Sequence, residues 1–390
     1  MKVTRALILA AGYGTRMLPA TKAVPKEMLP LVDAPVIEYI VDEAVSSGIH
    51  EIVIVTAAGK RAIEDHFGRA HDLEQLLETA GHGERLHRVR RSMTMADLIF
   101  VRQHEMGGIA HAVLSARHTL GDQPFVLMLP DDPIVAEPPA TRQILDVFER
   151  RQASVVLVER VAQSVIPSKG VIKPRPLEPR LYEVEGLVEK PAIADAPSDL
   201  AIIGRYAFTP AIFDAIKRTA RGAGGELQIT DAMERLREQE RIYAWELVGQ
   251  RYDIGQPLDY LKANIELALR RPEFGPSFAR IWKRCWRPVD LGLKLNTGRV
   301  SADAASGDRY TPAKPAHRQL FVCYGAGVLR LRRDADRAER DLRADRGGRG
   351  GRRLARHTGA GAGRQRPDPR TERRPCRPPA PPARGDGAAA

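Results

Sequence analysis

Short, unbroken apolar runs alternate along this chain with amphipathic stretches, and few folds accept that pattern. Residues 6–10 and 51–56 (EIVIVT) read as strands buried on both faces. Between them, residues 36–47 place Ile37, Ile40, Val41 and Ala44 on one helical face, ended by Gly48. Residues 62–67 and 72–77 predict helices, 98–102 a strand, 107–120 a stretch containing a helix, and 125–129 another strand. Runs at 155–159, 187–189, 206–208 and 243–248 continue the strands, and 258–269 predicts a closing amphipathic helix. Strand and helix in alternation imply an α/β, Rossmann-like, doubly wound and mostly parallel sheet. Ligands of such sheets bind outside the carboxyl ends of the strands.

The pattern stops near Lys283. From Arg284 onward there are 25 Lys and Arg against 11 Asp and Glu, leaving 36 against 38 in residues 1–283. The net charge of +12 therefore lies wholly in the C-terminal stretch. A near-neutral body excludes a nucleic-acid-binding core, which would carry a basic face of its own. Residues 330–390 are dominated by Arg, Gly, Ala and Pro and cannot bury enough surface to offset their ordering entropy, so they predict disorder. Two readings of residues 284–390 stand. One is a GC-rich frame translated past a shifted stop. The other is a basic arm that binds nucleic acid or anionic surfaces through salt-sensitive contacts. All three cysteines (Cys285, Cys323, Cys376) fall in this stretch, so the body has no disulfide framework and no thiolate metal site. The apolar run 6–11 is too short for a signal peptide and nothing reaches a membrane span, which predicts a cytoplasmic protein.

The chemistry concentrates where the first strand opens into Ala11-Gly12-Tyr13-Gly14-Thr15-Arg16, continuing through Lys22 to Pro25-Lys26-Glu27-Met28-Leu29-Pro30. Glycines let backbone N–H groups approach phosphate oxygens, and Arg16, Lys22 and Lys26 add positive charge beside them. Neither the Rossmann G-x-G-x-x-G nor the Walker A pattern is present. The whole run resembles the signature of the sugar-phosphate nucleotidyltransferases. In the same order come Asp72-Leu73-Glu74-Gln75-Leu76-Leu77-Glu78, Val101-Arg102-Gln103, Gly108-Ile109-Ala110-His111-Ala112-Val113 and Leu129-Pro130-Asp131-Asp132. Gly170-Val171-Ile172, Val188-Glu189-Lys190-Pro191, Ile203-Gly204-Arg205-Tyr206, Gly225-Glu226-Leu227-Gln228 and Tyr252-Asp253-Ile254-Gly255 follow. Residues 2–283 as a set are similar to the bacterial UTP–glucose-1-phosphate uridylyltransferases. Thymidylyltransferases carry Lys-Gln where this chain has Lys26-Glu27 and lack the acidic segment at 72–78.

That resemblance implies a GT-A-like nucleotidyltransferase domain at 1–283, with 284–390 as a tail. It implies Mg²⁺ as cofactor, UTP and glucose 1-phosphate as substrates, and a homo-oligomer. Asp131 and Asp253 would hold the metal, although each also fits a turn or helix-cap aspartate. Arg16 and Lys26 would neutralise the UTP phosphates, with Ala11, Gly12, Gly14 and Thr15 forming the nucleotide loop. Glu27, Gln103 and Gly108 would meet the uracil. Gly170, Glu189 and Glu226 would line the sugar pocket, and Lys190 would pair with the sugar phosphate. Asp132 reads as a ribose contact or a supporting group, Lys22 as loop cation or solvated surface, and His111 as a packed core histidine. The chain departs from the family at Ala110, where glycine is usual, and at Lys169, where an aromatic is common. Two other functions remain open: transfer of another nucleotide, such as the thymidylyl group, and a non-catalytic nucleotide-sugar sensor.

Overall fold

The computed structural model describes residues 1–222 and 225–285. The chain divides into Met1–Leu293 and Lys294–Ala390. The tail expected from residue 284 lies outside the described residues from 286 onward, with Cys323 and Cys376.

The strands are β1 (Arg5–Leu9), β2 (Pro30–Leu31), β3 (Ala34–Pro35), β4 (Glu51–Thr56), β5 (Asp97–Arg102), β6 (Phe125–Met128), β7 (Ile134–Val135), β8 (Val155–Arg160), β9 (Gly170–Glu178), β10 (Leu181–Glu189), β11 (Leu200–Phe208), β12 (Tyr243–Glu246) and β13 (Gln250–Arg251). The helices are α1 (Val36–Ser46), α2 (Arg61–Phe67), α3 (His71–Thr79), α4 (Gly83–Thr94), α5 (Ile109–Ser115), α6 (Arg117–Leu120), α7 (Ala140–Arg151), α8 (Ile212–Arg218), α9 (Ile229–Arg237), α10 (Pro257–Arg270) and α11 (Gly275–Cys285).

Nine strands form one sheet in the order β5-β4-β1-β6-β11-β8-β12-β10-β9. The first four are mutually parallel, with Leu7 of β1 opposite both Val53 and Leu127. Helical crossovers separate them in sequence, as parallel pairing requires. The other half is mixed. β11 runs antiparallel to β6 and β8, β12 is parallel to β8, and β10 is antiparallel to β12 and β9. The expectation of a mostly parallel sheet thus describes the first half. In the second, only Pro179 and Arg180 separate β9 from β10, and so short a link permits only a hairpin. Arg180 takes the positive φ of 67° that such a turn demands.

Period-two alternation sends each strand's side chains to two helical layers. Leu7, Val53, Val55 and Leu127 pack against residues of α5, α8 and α9. Ala6, Ile8, Ile52, Ile54, Val126 and Met128 pack against α1, α2 and α7. Each fully buried Ile or Leu contributes about 1.5–3 kcal/mol. A third, smaller cluster joins Ala263 and Leu267 of α10 to Leu31, Tyr252 and Ile254, which anchors the segment carrying Asp253.

Several elements were not foreseen: β9, α4, α7, α8, α9 and α11. The strand expected at 206–208 is nine residues long and contains Arg205, which is completely buried. A charge inside a buried strand normally argues against one. Here Glu43 of α1 pairs with the guanidinium at 2.6 Å.

Candidate active site

Four segments meet at the carboxyl edge of β1 and β6. The first is the loop after β1. Ala11 is buried beneath it, Gly12 and Gly14 are half-buried, and Thr15 and Arg16 are exposed. Gly14 has φ 67°, and its carbonyl accepts from Met17 N (3.0 Å) and Thr21 Oγ1 (2.8 Å). A side chain there would be strained and would crowd Lys26 Cβ at 3.1 Å. This turn brings Lys26 and Arg16 to one carboxylate: their nitrogens lie 3.0 and 3.6 Å from Asp131 Oδ2. Lys22 is exposed.

The second segment follows β6. Leu129 N donates to Gly204 O (2.9 Å), and Arg205 reaches Leu129 O (3.2 Å) and Asp132 O (3.0 Å) from behind. The two adjacent aspartates are thereby separated in role. Asp132 accepts from Gly204 N (3.1 Å) and from Arg251 (2.6 Å) and is used up by the fold. Asp131 keeps 24% of its side chain exposed and faces the cleft.

The third segment brings Asp253 from 122 positions away. β13 pairs with β7, and the ladder continues as Tyr252 N to Pro133 O (2.9 Å) and Ile254 N to Asp131 O (3.0 Å). Asp253 Oδ2 faces Lys169 Nζ at 2.8 Å and Arg251 at 3.3 Å, while Oδ1 accepts from Gly255 N at 3.2 Å. Burial acts to raise this carboxyl, but Lys169, Arg251 and the Gly255 amide outweigh it and hold it at about 2. Asp131 behaves alike: burial opposes ionisation, Lys26 outweighs it, and the carboxyl stays below its usual value despite repulsion from Asp253. Lys26 is raised in turn, because Asp131 and Glu27 together overcome its desolvation.

The fourth segment is the β9–β10 hairpin. Gly170 stands opposite Glu189 in the ladder. Glu189 accepts from Thr230 Oγ1 (2.7 Å) through one oxygen and pairs with Lys190 Nζ (3.0 Å) through the other. Lys190 is half exposed, has φ 49°, and donates its N–H to Lys169 O at 3.0 Å. A non-glycine residue held in the left-handed region is a mark of a constrained site.

Two expected base contacts lie along the same edge. Gln103 is buried and shares a 2.9 Å hydrogen bond with His111 Nδ1, so His111 orients an amide instead of merely filling the core. Gly108 caps α5 with φ 92°, and an added Cβ would sit 2.6 Å from Leu227 O. That contact also places Glu226 against the Gly108 loop. Glu226 is exposed and accepts from Gln228 (3.3 Å). Glu27 is only 1% exposed: one oxygen accepts from Lys60 Nζ (2.7 Å), and the other has no hydrogen-bond partner among the described residues. Burial raises Glu27 and lowers Lys60, each toward its neutral form. Glu27 thus lies beside Lys26 and Asp131 in the same small cavity, with Lys60 as the partner of one oxygen.

The donor chemistry of Asp131 and Asp253 fits a hard divalent cation. The two carboxylates lie near enough to repel one another, and cationic side chains stand on the oxygens a metal would use. Among the described residues no third His, Cys, Asp or Glu joins them. Such a cation would complete its shell with phosphates and water. Lys60, Arg205, Arg251 and Lys169 carry structural work the sequence reading did not assign. Arg251 adjoins the Tyr252-Asp253 motif, and Lys169 adjoins Gly170, so proximity to a motif was the only signal. Among the described residues no helix is long and apolar enough to cross a membrane.

Comparison with known proteins agrees with this geometry. The family model for Nucleotidyl transferase matches residues 5–269. The UTP–glucose-1-phosphate uridylyltransferase of Bacillus subtilis (strain 168) is 47% identical over 272 residues, covering 70% of this chain and 93% of that protein. A crystal structure of UDP-glucose pyrophosphorylase complexed with UDP-glucose superposes with a TM-score of 0.63 at 38% identity, over 69% of this chain and all of that one. The UTP-bound UGPase from Acinetobacter baumannii gives 0.68 at 34% identity, over 72% and 99%. Residues 5–269, with the glycine loop and the paired aspartates, make this chain a member of the nucleotidyl transferase family.

Proposed function

We infer that the chain transfers the uridylyl group of UTP to glucose 1-phosphate, giving UDP-glucose and pyrophosphate. The observation that carries the reading is the convergence of Asp131 and Asp253, with Lys26 and Arg16 on one side and Lys169 on the other, in a chain 47% identical to the Bacillus subtilis uridylyltransferase.

The phosphate of glucose 1-phosphate is already an anionic nucleophile. It attacks the α-phosphorus of UTP in line, and pyrophosphate leaves without a general base. Catalysis then consists of positioning and charge neutralisation. Lys26 and Arg16 hold the triphosphate; Arg can grip it in two places, Lys as a point charge. Asp131 and Asp253 would hold Mg²⁺, which when bound draws negative charge off the phosphates. Gln103 presents an amide that both donates and accepts, which suits the imide edge of uracil beside Gly108. Lys190 pairs with the sugar phosphate, and Glu189 accepts from glucose hydroxyls. The same reading includes a doubly wound, GT-A-like catalytic domain at 1–283 with an appended tail, acting as a cytoplasmic homo-oligomer.

The test is pyrophosphate release with Mg²⁺ and glucose 1-phosphate, comparing UTP with dTTP, then galactose 1-phosphate as acceptor. Preference for UTP and glucose 1-phosphate is expected. Preference for dTTP would overturn the base assignment, and no release with any pair would overturn catalysis itself.

A further inference from the structure

We propose that Lys169 competes with the divalent metal for Asp253, so that this chain binds metal more weakly than its two aspartates alone would allow. The inference rests on the reading of Asp253 as a metal ligand. Lys169 is then a positioning residue acting through that carboxylate.

Both oxygens of Asp253 are engaged: Oδ1 by Gly255 N at 3.2 Å, and Oδ2 by Lys169 Nζ at 2.8 Å and Arg251 Nη1 at 3.3 Å. A magnesium ion sits at about 2.1 Å from its oxygens and tolerates little distortion, so one cation must leave Oδ2. Arg251 cannot leave easily. It is tied to Asp132 at 2.6 Å and to Glu159 at 2.6 Å, and its side chain is only 9% exposed. Lys169 carries its charge on a flexible four-carbon stem, and Asp253 is the carboxylate it meets. Its backbone is fixed at both ends: Lys169 N donates to Ile166 O (3.1 Å) and Lys169 O accepts from Lys190 N (3.0 Å). Only the ammonium needs to swing, and the Lys190 end of the hairpin stays in place.

The charge count points the same way. Asp131 is matched by Lys26 and Arg16, and Asp253 by Lys169 and Arg251. A divalent cation entering alone meets carboxylates that are already neutralised, and it is repelled by four nearby positive groups. Arriving with a triphosphate, it brings the anions that relieve this repulsion.

The experiment is Mn²⁺ binding to the full chain without substrates, read by the EPR signal of free Mn²⁺, for the wild type and for Lys169→Met, Lys169→Arg and Asp253→Asn. Lys169→Met should bind about two- to fivefold tighter, the scale of one ion pair between partly exposed groups. Lys169→Arg, which restores a cation, should resemble the wild type, and Asp253→Asn should bind more weakly. If Asp253→Asn weakens binding while Lys169→Met leaves it unchanged or weaker, the competition is refuted and the metal reading stands. If Asp253→Asn has no effect, the metal reading fails and this inference fails with it.

Discussion

The two walls of the cleft are braced differently. Behind the nucleotide wall lie buried ion pairs: Arg205 with Glu43, and Lys60 with Glu27, all under a tenth exposed. The acceptor wall uses pairs that water reaches, Lys190 with Glu189 and Lys169 with Asp253. Buried pairs are costly to break, because the remaining partner becomes an uncompensated charge. Exposed pairs contribute about 0–1 kcal/mol and exchange partners readily. The support behind the nucleotide wall is thus preformed. On the acceptor wall, charged groups can trade a protein partner for a substrate phosphate or a metal at little cost.

The contrast breaks most visibly at Arg205. Replacing it with Met should cost about 3–5 kcal/mol of stability, since Glu43 is left buried and the loop bearing Asp131 loses its support. Chemical denaturation measures this directly, and a cost below 1 kcal/mol would erase the difference between the walls. Next in size, Asp131→Asn should lower turnover by about 10²- to 10³-fold with the fold intact, because charge neutralisation at the phosphates is lost. Near-normal turnover at saturating Mg²⁺ would remove Asp131 from the metal site. Lys190→Ala should be nearly silent in stability yet raise KM for glucose 1-phosphate by roughly 10- to 100-fold, the worth of one charge-assisted hydrogen bond. A shift in the KM for UTP alone would put Lys190 on the wrong wall.

The smallest effect is a pH dependence. Asp253 is held at about 2 against an ordinary 3.8, so it binds fewer protons folded than unfolded. Its contribution to stability is therefore complete above pH 4 or so and is lost as the pH falls toward 2. Thermal unfolding of wild type and Asp253→Asn should differ above that window and converge within it. A gap that stays constant down to pH 2 would detach Asp253 from its cationic partners.

The same contrast separates what the sequence discloses from what it hides. The nucleotide loop is contiguous: one strand, two glycines and three cations within residues 6–26, so its role reads directly from spacing. Asp131 is legible because it follows a strand, and Asp253 because it sits in a recognisable motif. Pairings across long separations are not legible. Nothing local says that Arg205 reaches Glu43 across 162 positions, or that Lys60 closes on Glu27. Lys169 reads as a departure from an aromatic, and only the fold shows its ammonium on Asp253. Glu27 looks like a base reader by position, and only the fold shows it buried against Lys60. The mixed half of the sheet was hidden for a related reason. Apolar runs identify strands but carry no direction, and a two-residue link is easily overlooked when β9 contains Pro174 and Pro176.

The most direct test of the account is the position of Mn²⁺ in crystals of the full chain soaked with UTP, located by anomalous scattering. One peak within about 2.2 Å of oxygens from both Asp131 and Asp253 is predicted, with Lys169 moved off Asp253. A metal held by the phosphates alone, or a peak elsewhere while the two aspartates keep their lysines, would contradict it.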